Sequence, residues 1–71
     1  MKPAELVRLQ TYLRKIFGSK NLSVRPRPKI SDSAEVYAGD EFIGVVSVDE
    51  EDGELTYQFN MAILESDLDE A

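Results

Sequence analysis

Three basic side chains recur at every second position of one short segment, Arg25-Pro26-Arg27-Pro28-Lys29. In an extended strand these positions share one face and lie about 7 Å apart. The three cations, which we call the basic edge, could bind phosphate, an RNA backbone or an acidic protein segment, and Tyr37 could stack on a base. The alternative is structural, because Pro and Lys protect an edge strand from unwanted pairing, and a Lys29–Glu35 pair and an Arg27–Tyr37 contact would satisfy the charges internally. We favour this structural role over an acidic protein partner, and a protein partner over nucleic acid.

A second group of ligand-type side chains, the acids of residues 49–52 with Glu54, could chelate calcium. It lacks the alternating ligand spacing and the distal bidentate Glu of helix-loop-helix calcium sites, so a solvated turn is the favoured interpretation. The acids at the end of the chain are expected to be solubilising, or to fold back onto the basic edge as an internal mimic of a ligand. These four acids are Glu65, Asp67, Asp69 and Glu70.

Catalytic chemistry has few candidates in this chain. Cys and His are both absent, which excludes disulfides, thiolate nucleophiles, the usual proton shuttle near neutral pH and the commonest metal ligand. The remaining pairs are Asp40 with Glu41 and Glu35 with Tyr37. Adjacent acids in a predicted turn are screened by solvent, so their pKa values would not separate as acid–base catalysis requires. We therefore expect the protein not to be an enzyme and to use no cofactor or metal.

Charge is strongly segregated along the chain. All eight Lys and Arg residues lie in the first 29 positions, so with one acid, Glu5, residues 1–29 carry a net charge of +7. Residues 30–71 hold the other thirteen acids and no base, which makes them −13 and the whole chain −6. This balance disfavours nucleic acid and anionic membranes, so only the basic edge could bind nucleic acid. No signal peptide or membrane-length apolar stretch occurs, and we expect a cytoplasmic protein.

Hydrophobic periodicity predicts the elements that position these residues. Residues 3–17 are predicted to form one amphipathic helix, with Pro3 in its first turn and Gly18 just past its C-terminal end. The apolar residues of this helix share an arc about 100° wide. They are Leu6, Leu9, Leu13, Ile16 and Phe17.

Beyond Leu22 the hydrophobic period changes to two, which predicts strands separated by turn residues. Since every connection is short, we expect an antiparallel meander of four strands with the helix across one face, an α+β fold. Residues 1–64 would form this one domain, and residues 65–71 an acidic tail that is expected to be flexible. The predicted strands are 22–30, 34–38, 41–48 and 55–63, with loops at 31–33, 39–40 and 49–53.

The predicted loop lengths decide which side chains share a face of the sheet. They place Ile43 and Val45 in the core beneath the helix, whereas an odd loop before the third strand would exchange the two sets. The opposite face would carry an uncovered apolar surface made of Phe42, Val46 and Val48 beside Tyr37. The corresponding cross-strand pairs are Val36–Pro28, Val36–Ile43, Ile43–Phe59 and Val45–Tyr57.

One helix cannot cover both faces of a sheet, so the predicted apolar surface would need another cover. The candidates are the C-terminal segment through Leu64 and Leu68, a second copy of the protein, or a different partner.

Several segments together resemble one protein family. The resemblance covers nearly the whole chain and is specific in the Arg-Pro-Arg-Pro and Gly-Asp-Glu-Phe-Ile-Gly blocks. The family consists of short alphaproteobacterial proteins classified as domain of unknown function 3126. The resemblance implies a free-standing bacterial cytosolic protein, and it carries over no catalytic or binding residues. The matching segments are 13–18, 24–29, 32–37, 39–45 and 59–64.

These observations predict a non-catalytic protein-interaction module of the bacterial cytoplasm, whose partner is a protein or a second copy of the chain. Two surfaces could serve, the predicted apolar surface and the basic edge. The alternative function is an RNA- or nucleotide-binding domain that uses the basic edge together with Tyr37.

Overall fold

Short turns between alternating apolar segments fold the chain into an antiparallel meander. The computed structural model describes residues 1–69, and its four strands form one sheet in the order β1-β2-β3-β4. This arrangement confirms the predicted α+β fold, a helix followed by a four-stranded antiparallel sheet. Neither helix of residues 1–69 has the length and hydrophobicity needed to span a membrane. The elements are α1 (Pro3–Phe17), β1 (Leu22–Arg27), β2 (Ile30–Ala38), β3 (Glu41–Glu51), β4 (Glu54–Met61) and α2 (Glu65–Asp69).

The helix α1 begins and ends at the residues that the sequence indicates. Pro3 is its first residue, and the Lys2 backbone N–H donates to the Glu5 carboxylate at 3.1 Å, which satisfies a free donor of the first turn. Gly18 follows the last turn with φ of 62°, a left-handed conformation that costs glycine little. The predicted helix 3–17 is therefore confirmed.

Two side chains of α1 hold the helix against β1. The Gln10 amide oxygen accepts a hydrogen bond from the Val24 backbone N–H at 3.1 Å. The Arg14 Nε donates to the Leu22 carbonyl at 2.7 Å. Both bonds satisfy groups of β1 that do not belong to its ladder with β2, so α1 lies along the outer edge of the sheet as well as over its face.

The hydrophobic core lies between α1 and the first three strands. Val36 and Val46 are its largest fully buried side chains. Half-buried Leu6, Leu9 and Phe59 pack around it. The buried hydrophobic residues are Leu13, Leu22, Val24, Ala34, Val36 and Val46.

The first hairpin differs from the prediction. Pro28 and Lys29 form a two-residue turn, so β1 ends at Arg27 and β2 begins at Ile30. Residues 31–33 are extra residues in β2, because Arg27 lies opposite Ile30 whereas Pro26 lies opposite Ala34. The predicted loop at 31–33 and the Val36–Pro28 pair are therefore wrong, and Val24 is the residue opposite Val36.

The second hairpin has the predicted loop and an irregularity that the sequence did not reveal. Gly39 and Asp40 form the turn, with φ of 63° at Gly39. Tyr37 then lies opposite Phe42, but Val36 lies opposite Gly44, so Ile43 is an extra residue in β3. One extra residue exchanges the two faces of the remaining strand. The predicted Val36–Ile43 pair is wrong for this reason.

The third hairpin is longer and its turn is tighter than predicted. Asp52 and Gly53 form a two-residue turn with φ of 54° and 81°, so Gly53 has the predicted left-handed conformation. Strands β3 and β4 pair up to this turn, which extends the hairpin beyond the end of β2. The predicted five-residue loop is wrong, as are the pairs Ile43–Phe59 and Val45–Tyr57. The pairs observed instead are Val46–Phe59 and Val48–Tyr57.

These register changes remove most of the predicted uncovered apolar surface. Val46 is 2% exposed and belongs to the core, and Val48 is half-buried on the same face of β3. Phe42 alone remains exposed as predicted, at 52%, with its ring against that of half-buried Tyr37 at a centroid distance of 5.7 Å. Ile43, expected in the core, does pack against it.

The C-terminal segment contains one short helix, α2. All of its residues are exposed, including Leu68. Residues 70–71 of the predicted acidic tail lie outside the described residues.

Candidate interaction surface

An apolar groove lies between α1 and β4, on the helix-covered side of the sheet. It has a volume of about 620 Å³. Because α1 packs chiefly against β1, it leaves much of the face of β4 uncovered. We call this cleft the α1–β4 groove. Its apolar walls comprise Leu9, Tyr12 and Leu13 from α1 and Leu55, Tyr57 and Phe59 from β4.

A glycine in β3 makes room for the aromatic part of this groove. A Cβ atom on Gly44 would collide with the Asn60 carbonyl oxygen and lie 2.7 Å from the Phe59 ring. The Phe59 ring occupies that space and packs edge-to-face against Phe17, with 6.3 Å between the ring centroids. Gly44 and Phe59 therefore fit together as one packing unit between the sheet and the end of α1.

One end of the groove is polar. The Tyr57 hydroxyl donates to the Glu5 carboxylate at 2.8 Å, which joins β4 to the first turn of α1. The pKa of Glu5 is below its ordinary value, chiefly because the Lys2 backbone N–H donates to the carboxylate and also because Tyr57 does. The same hydrogen bond raises the pKa of Tyr57.

Exposed hydrophobic side chains continue the groove on both sides. Tyr12 is 60% exposed and Leu55 is 54% exposed, although both line the groove. Together these residues form an apolar strip along one side of α1 and one face of β4. The other members of the strip, each at least half exposed, are Ile16, Phe17 and Met61.

A smaller apolar cleft lies between the β2–β3 turn and the C-terminal segment. Phe42, Ile43, Met61 and Leu68 line it. The C-terminal segment, one of the three candidate covers, therefore covers Phe42 only in part, because Phe42, Leu64 and Leu68 all stay more than half exposed.

Two cations of the basic edge, Arg25 and Arg27, make contacts within the chain. The Arg25 guanidinium lies 4.0 Å from the centroid of the Tyr37 ring and donates to the Gly39 carbonyl. Arg27 lies 4.0 Å from the Glu35 carboxylate and donates to the Ser33 hydroxyl at 3.5 Å. The partners differ from the predicted Lys29–Glu35 and Arg27–Tyr37 pairs, because the shifted register places Glu35 opposite Arg25.

The third cation of the basic edge, Lys29, and the neighbouring Tyr37 complete this region. The Tyr37 hydroxyl donates to Glu35 at 3.0 Å, and this bond raises the pKa of Tyr37. Lys29 lies exposed in the turn between β1 and β2. The cations thus lie on the face of the sheet away from α1, with Lys29 at its end.

The acidic groups do not converge on the basic edge. Within residues 1–69 the ion pair is Arg27 with Glu35, so Glu65, Asp67 and Asp69 are not paired with these bases. Asp67 instead accepts a hydrogen bond from the Leu64 backbone N–H at 3.1 Å. Glu70 lies outside the described residues. In the same part of the chain, no three acids are grouped so as to hold a metal ion, including those of the β3–β4 hairpin.

The sequence interpretation missed the strip along α1 and β4. Its signal was present, because Leu55, Tyr57, Phe59 and Met61 alternate along a strand that contains no Pro, Lys or Arg. Alternation shows that these residues share a face, but it cannot show that α1 lies too far towards β1 to cover them.

The fold and the groove together define a class: a small α+β domain, one helix on an antiparallel meander, with an apolar cleft beside the helix. The chain belongs to a family of proteins of unknown function (DUF3126), whose sequence model matches residues 5–67. No curated protein matches the chain. No solved structure matches it either.

Proposed function

We propose that the protein is a non-catalytic protein-interaction module of the bacterial cytoplasm and that the α1–β4 groove is its binding surface. The observation that supports this most directly is the row of half-exposed hydrophobic side chains on both walls of the groove. Tyr12 and Leu55 are the most accessible of these residues. Contiguous apolar surface beside a concave cleft is typical of protein-binding sites.

The energetic argument favours a partner that fills the groove. Completing the burial of one large apolar side chain stabilises a complex by roughly 1.5–3 kcal/mol at most, and less for a side chain already half-buried. Tyr12 and Tyr57 also belong to a residue type that is enriched among interface anchors, because a tyrosine offers a rigid apolar ring and one hydroxyl. The chain buries few hydrophobic residues, and the exposed ones add little to the stability of the isolated domain. They would stabilise a complex once a partner covers them.

The alternative, binding of RNA or a nucleotide through the basic edge, has less support. Arg25 and Arg27 already contact Tyr37 and Glu35, so a phosphate would have to compete with groups of the same chain. The net charge of −6 also opposes attraction of a polyanion.

Site-specific photocrosslinking tests the proposed function. A benzophenone amino acid replaces Tyr12 in the groove, or Val7 on the far side of α1, in cells that express the protein. The two positions are matched, since each side chain is 60% exposed. We expect an adduct of defined mass from position 12 and none from position 7. Leu55→Asp should abolish that adduct, because it places a charge on the opposite wall.

Two results would contradict the proposal. One is equal crosslinking at positions 7 and 12, which would indicate random encounters. The other is a defined adduct that persists unchanged in Leu55→Asp, which would place the binding surface elsewhere.

A further inference from the structure

We propose that the partner is a second copy of this chain, and that the two copies join by antiparallel pairing of β4 with β4. This inference rests on the proposed function, because the β4 strand of the second copy would extend the β4 wall of the α1–β4 groove. It would produce one continuous eight-stranded sheet around a two-fold axis.

The two edge strands of the sheet differ in whether other groups bond to their outward backbone N–H and C=O. On the outer edge of β1, Gln10 accepts from the Val24 N–H and Arg14 donates to the Leu22 carbonyl. Pro26, the next residue of that edge, has no N–H to offer. The β1 edge is therefore closed to another strand, as expected of an edge that avoids pairing.

The β4 edge has none of these protections. Residues 54–61 contain no Pro, Lys or Arg, and their register with β3 is continuous from Glu54 to Met61. Within residues 1–69, the side chains that bond to the backbone of an edge strand are those of Gln10 and Arg14 on β1. A regularly paired, unprotected edge strand of eight residues is a template for a further strand.

The hairpin turn determines which groups of β4 point outwards. Glu51 and Glu54 flank a two-residue turn, and in such hairpins the flanking pair exchanges hydrogen bonds. Since bonding alternates along an antiparallel pair, every second residue from Glu54 faces β3. The residues in between present N–H and C=O to the open edge: Leu55, Tyr57, Phe59 and Met61.

The outward N–H and C=O groups of β4 complement those of β4 in a second copy. A two-fold axis at Gln58 places Leu55 opposite Met61 of the second copy and Tyr57 opposite Phe59 of the second copy. Every outward donor then meets an outward acceptor, and the apolar side chains of both strands share the face that carries α1. The backbone groups of a second copy therefore complement those of this edge.

Charge selects the antiparallel arrangement. Five acids lie at or beside the β3–β4 turn: Asp49, Glu50, Glu51, Asp52 and Glu54. Parallel pairing would bring the two acidic turns side by side, whereas antiparallel pairing places them at opposite ends of the dimer. The charged residue of β4, Glu54, would then lie opposite Ala62 of the second copy.

Charge reversal at the two-fold axis tests the register. In the proposed dimer, Gln58 lies opposite Gln58 of the second copy. Gln58→Lys and Gln58→Glu therefore each place two like charges directly opposite each other. We expect each variant alone to dimerise on the order of two- to fivefold more weakly than wild type. An equal mixture of the two should recover or exceed wild-type affinity, because Lys then faces Glu. The matched control is Asn60→Lys, which faces Thr56 of the second copy and should dimerise normally.

Sedimentation analysis of the purified chain provides the measurement, over about 10 μM to 1 mM protein. We expect the mass to rise with concentration from 8.0 kDa towards twice that value. Leu55→Pro removes an outward N–H without removing a bond to β3 and should weaken the dimer on the order of tenfold. Leu55→Ala is its control for the loss of the side chain, and circular dichroism checks that each variant is folded.

The outcomes separate this inference from the proposed function. A wild-type chain that stays monomeric throughout overturns self-pairing, whereas a Tyr12 adduct with a different protein would leave the groove as a binding surface. A dimer that is insensitive to Gln58→Lys, Gln58→Glu and their mixture also overturns the β4 pairing, because the two copies would then meet elsewhere.

Discussion

The two ends of the sheet show what one short helix can and cannot cover. Strands β1 and β2 contribute four of the buried hydrophobic residues, and α1 both packs over them and bonds to the outer edge of β1. In β4, by contrast, every residue is at least partly exposed, although its alternation is equally regular. The comparison teaches that a regular apolar face is not evidence of burial. Where the helix lies decides which face becomes core and which becomes a groove.

Stability should follow the same division. Beyond Ser47, β3 pairs with β4 alone, because β2 ends its ladder with β3 at Ser33. A two-stranded hairpin is marginally stable in water unless something packs against it. The β3–β4 arm is therefore the region most free to open, and the one that would gain most from a partner.

The same substitution made in two places, the core beneath α1 and the groove wall on β4, tests this difference most sharply. We call these two regions the core half and the groove half. Leu13 is 8% exposed in the core, so Leu13→Ala should lower the free energy of unfolding by about 2–4 kcal/mol. A domain of this size has only about 3–5 kcal/mol in total, so the variant would keep little stability. Leu55→Ala, on the groove wall, should cost less than about 1 kcal/mol. Urea denaturation at low protein concentration measures both.

Comparable losses for the two variants would contradict the division. They would mean that Leu55 contributes to the core of the isolated chain and that the groove is closed in solution.

The junction between the two halves gives the next largest effect. Gly44→Ala would push a methyl group into the Asn60 carbonyl and the Phe59 ring, and neither is the free end of a flexible side chain. We expect a loss of about 1–3 kcal/mol, typical of overpacking. Ser47→Ala in the same strand is the control and should change stability by no more than about 0.5 kcal/mol. A neutral Gly44→Ala would show that Phe59 can leave its place over β3 at little cost.

The sequence alone predicted the fold class but not the registers. Helix α1 and the turn at Gly39 carry strong local signals, a proline at one end and glycines in left-handed conformations. The Asp52-Gly53 turn carried an equally strong signal, since Asp-Gly favours two-residue hairpins, but the surrounding acids suggested a longer loop. Pro28 likewise favours a turn, although the alternating pattern from Leu22 to Ile30 predicts a strand there.

The extra residues in β2 and β3 could not be predicted in the same way. Strand β3 is apolar at both odd and even positions from Phe42 to Val48, so either face of the strand fits the core by composition. The extra residue Ile43 decides between them, and nothing in its type marks it as a bulge. This is why the sequence pattern predicts Val46 on a binding surface although it lies in the core, and why it does not predict the α1–β4 groove.

The smallest effect concerns the hydrogen bond that links the two halves, from Tyr57 to Glu5. The pKa of Glu5 is lowered in the folded chain, so its carboxylate stabilises the fold above the ordinary value of about 4.5, and this contribution is lost as the pH falls further. At pH 7 we expect Glu5→Gln to melt at a slightly lower temperature than wild type. The difference should shrink towards zero as the pH is lowered through and below 4.5. Tyr57→Phe separates the two causes: it removes the Tyr57 bond but keeps the Lys2 bond, so it should reproduce only part of the pH-dependent difference. If Glu5→Gln lowers the melting temperature equally at pH 7 and pH 3, the carboxylate charge contributes nothing and this link between α1 and β4 is not electrostatic.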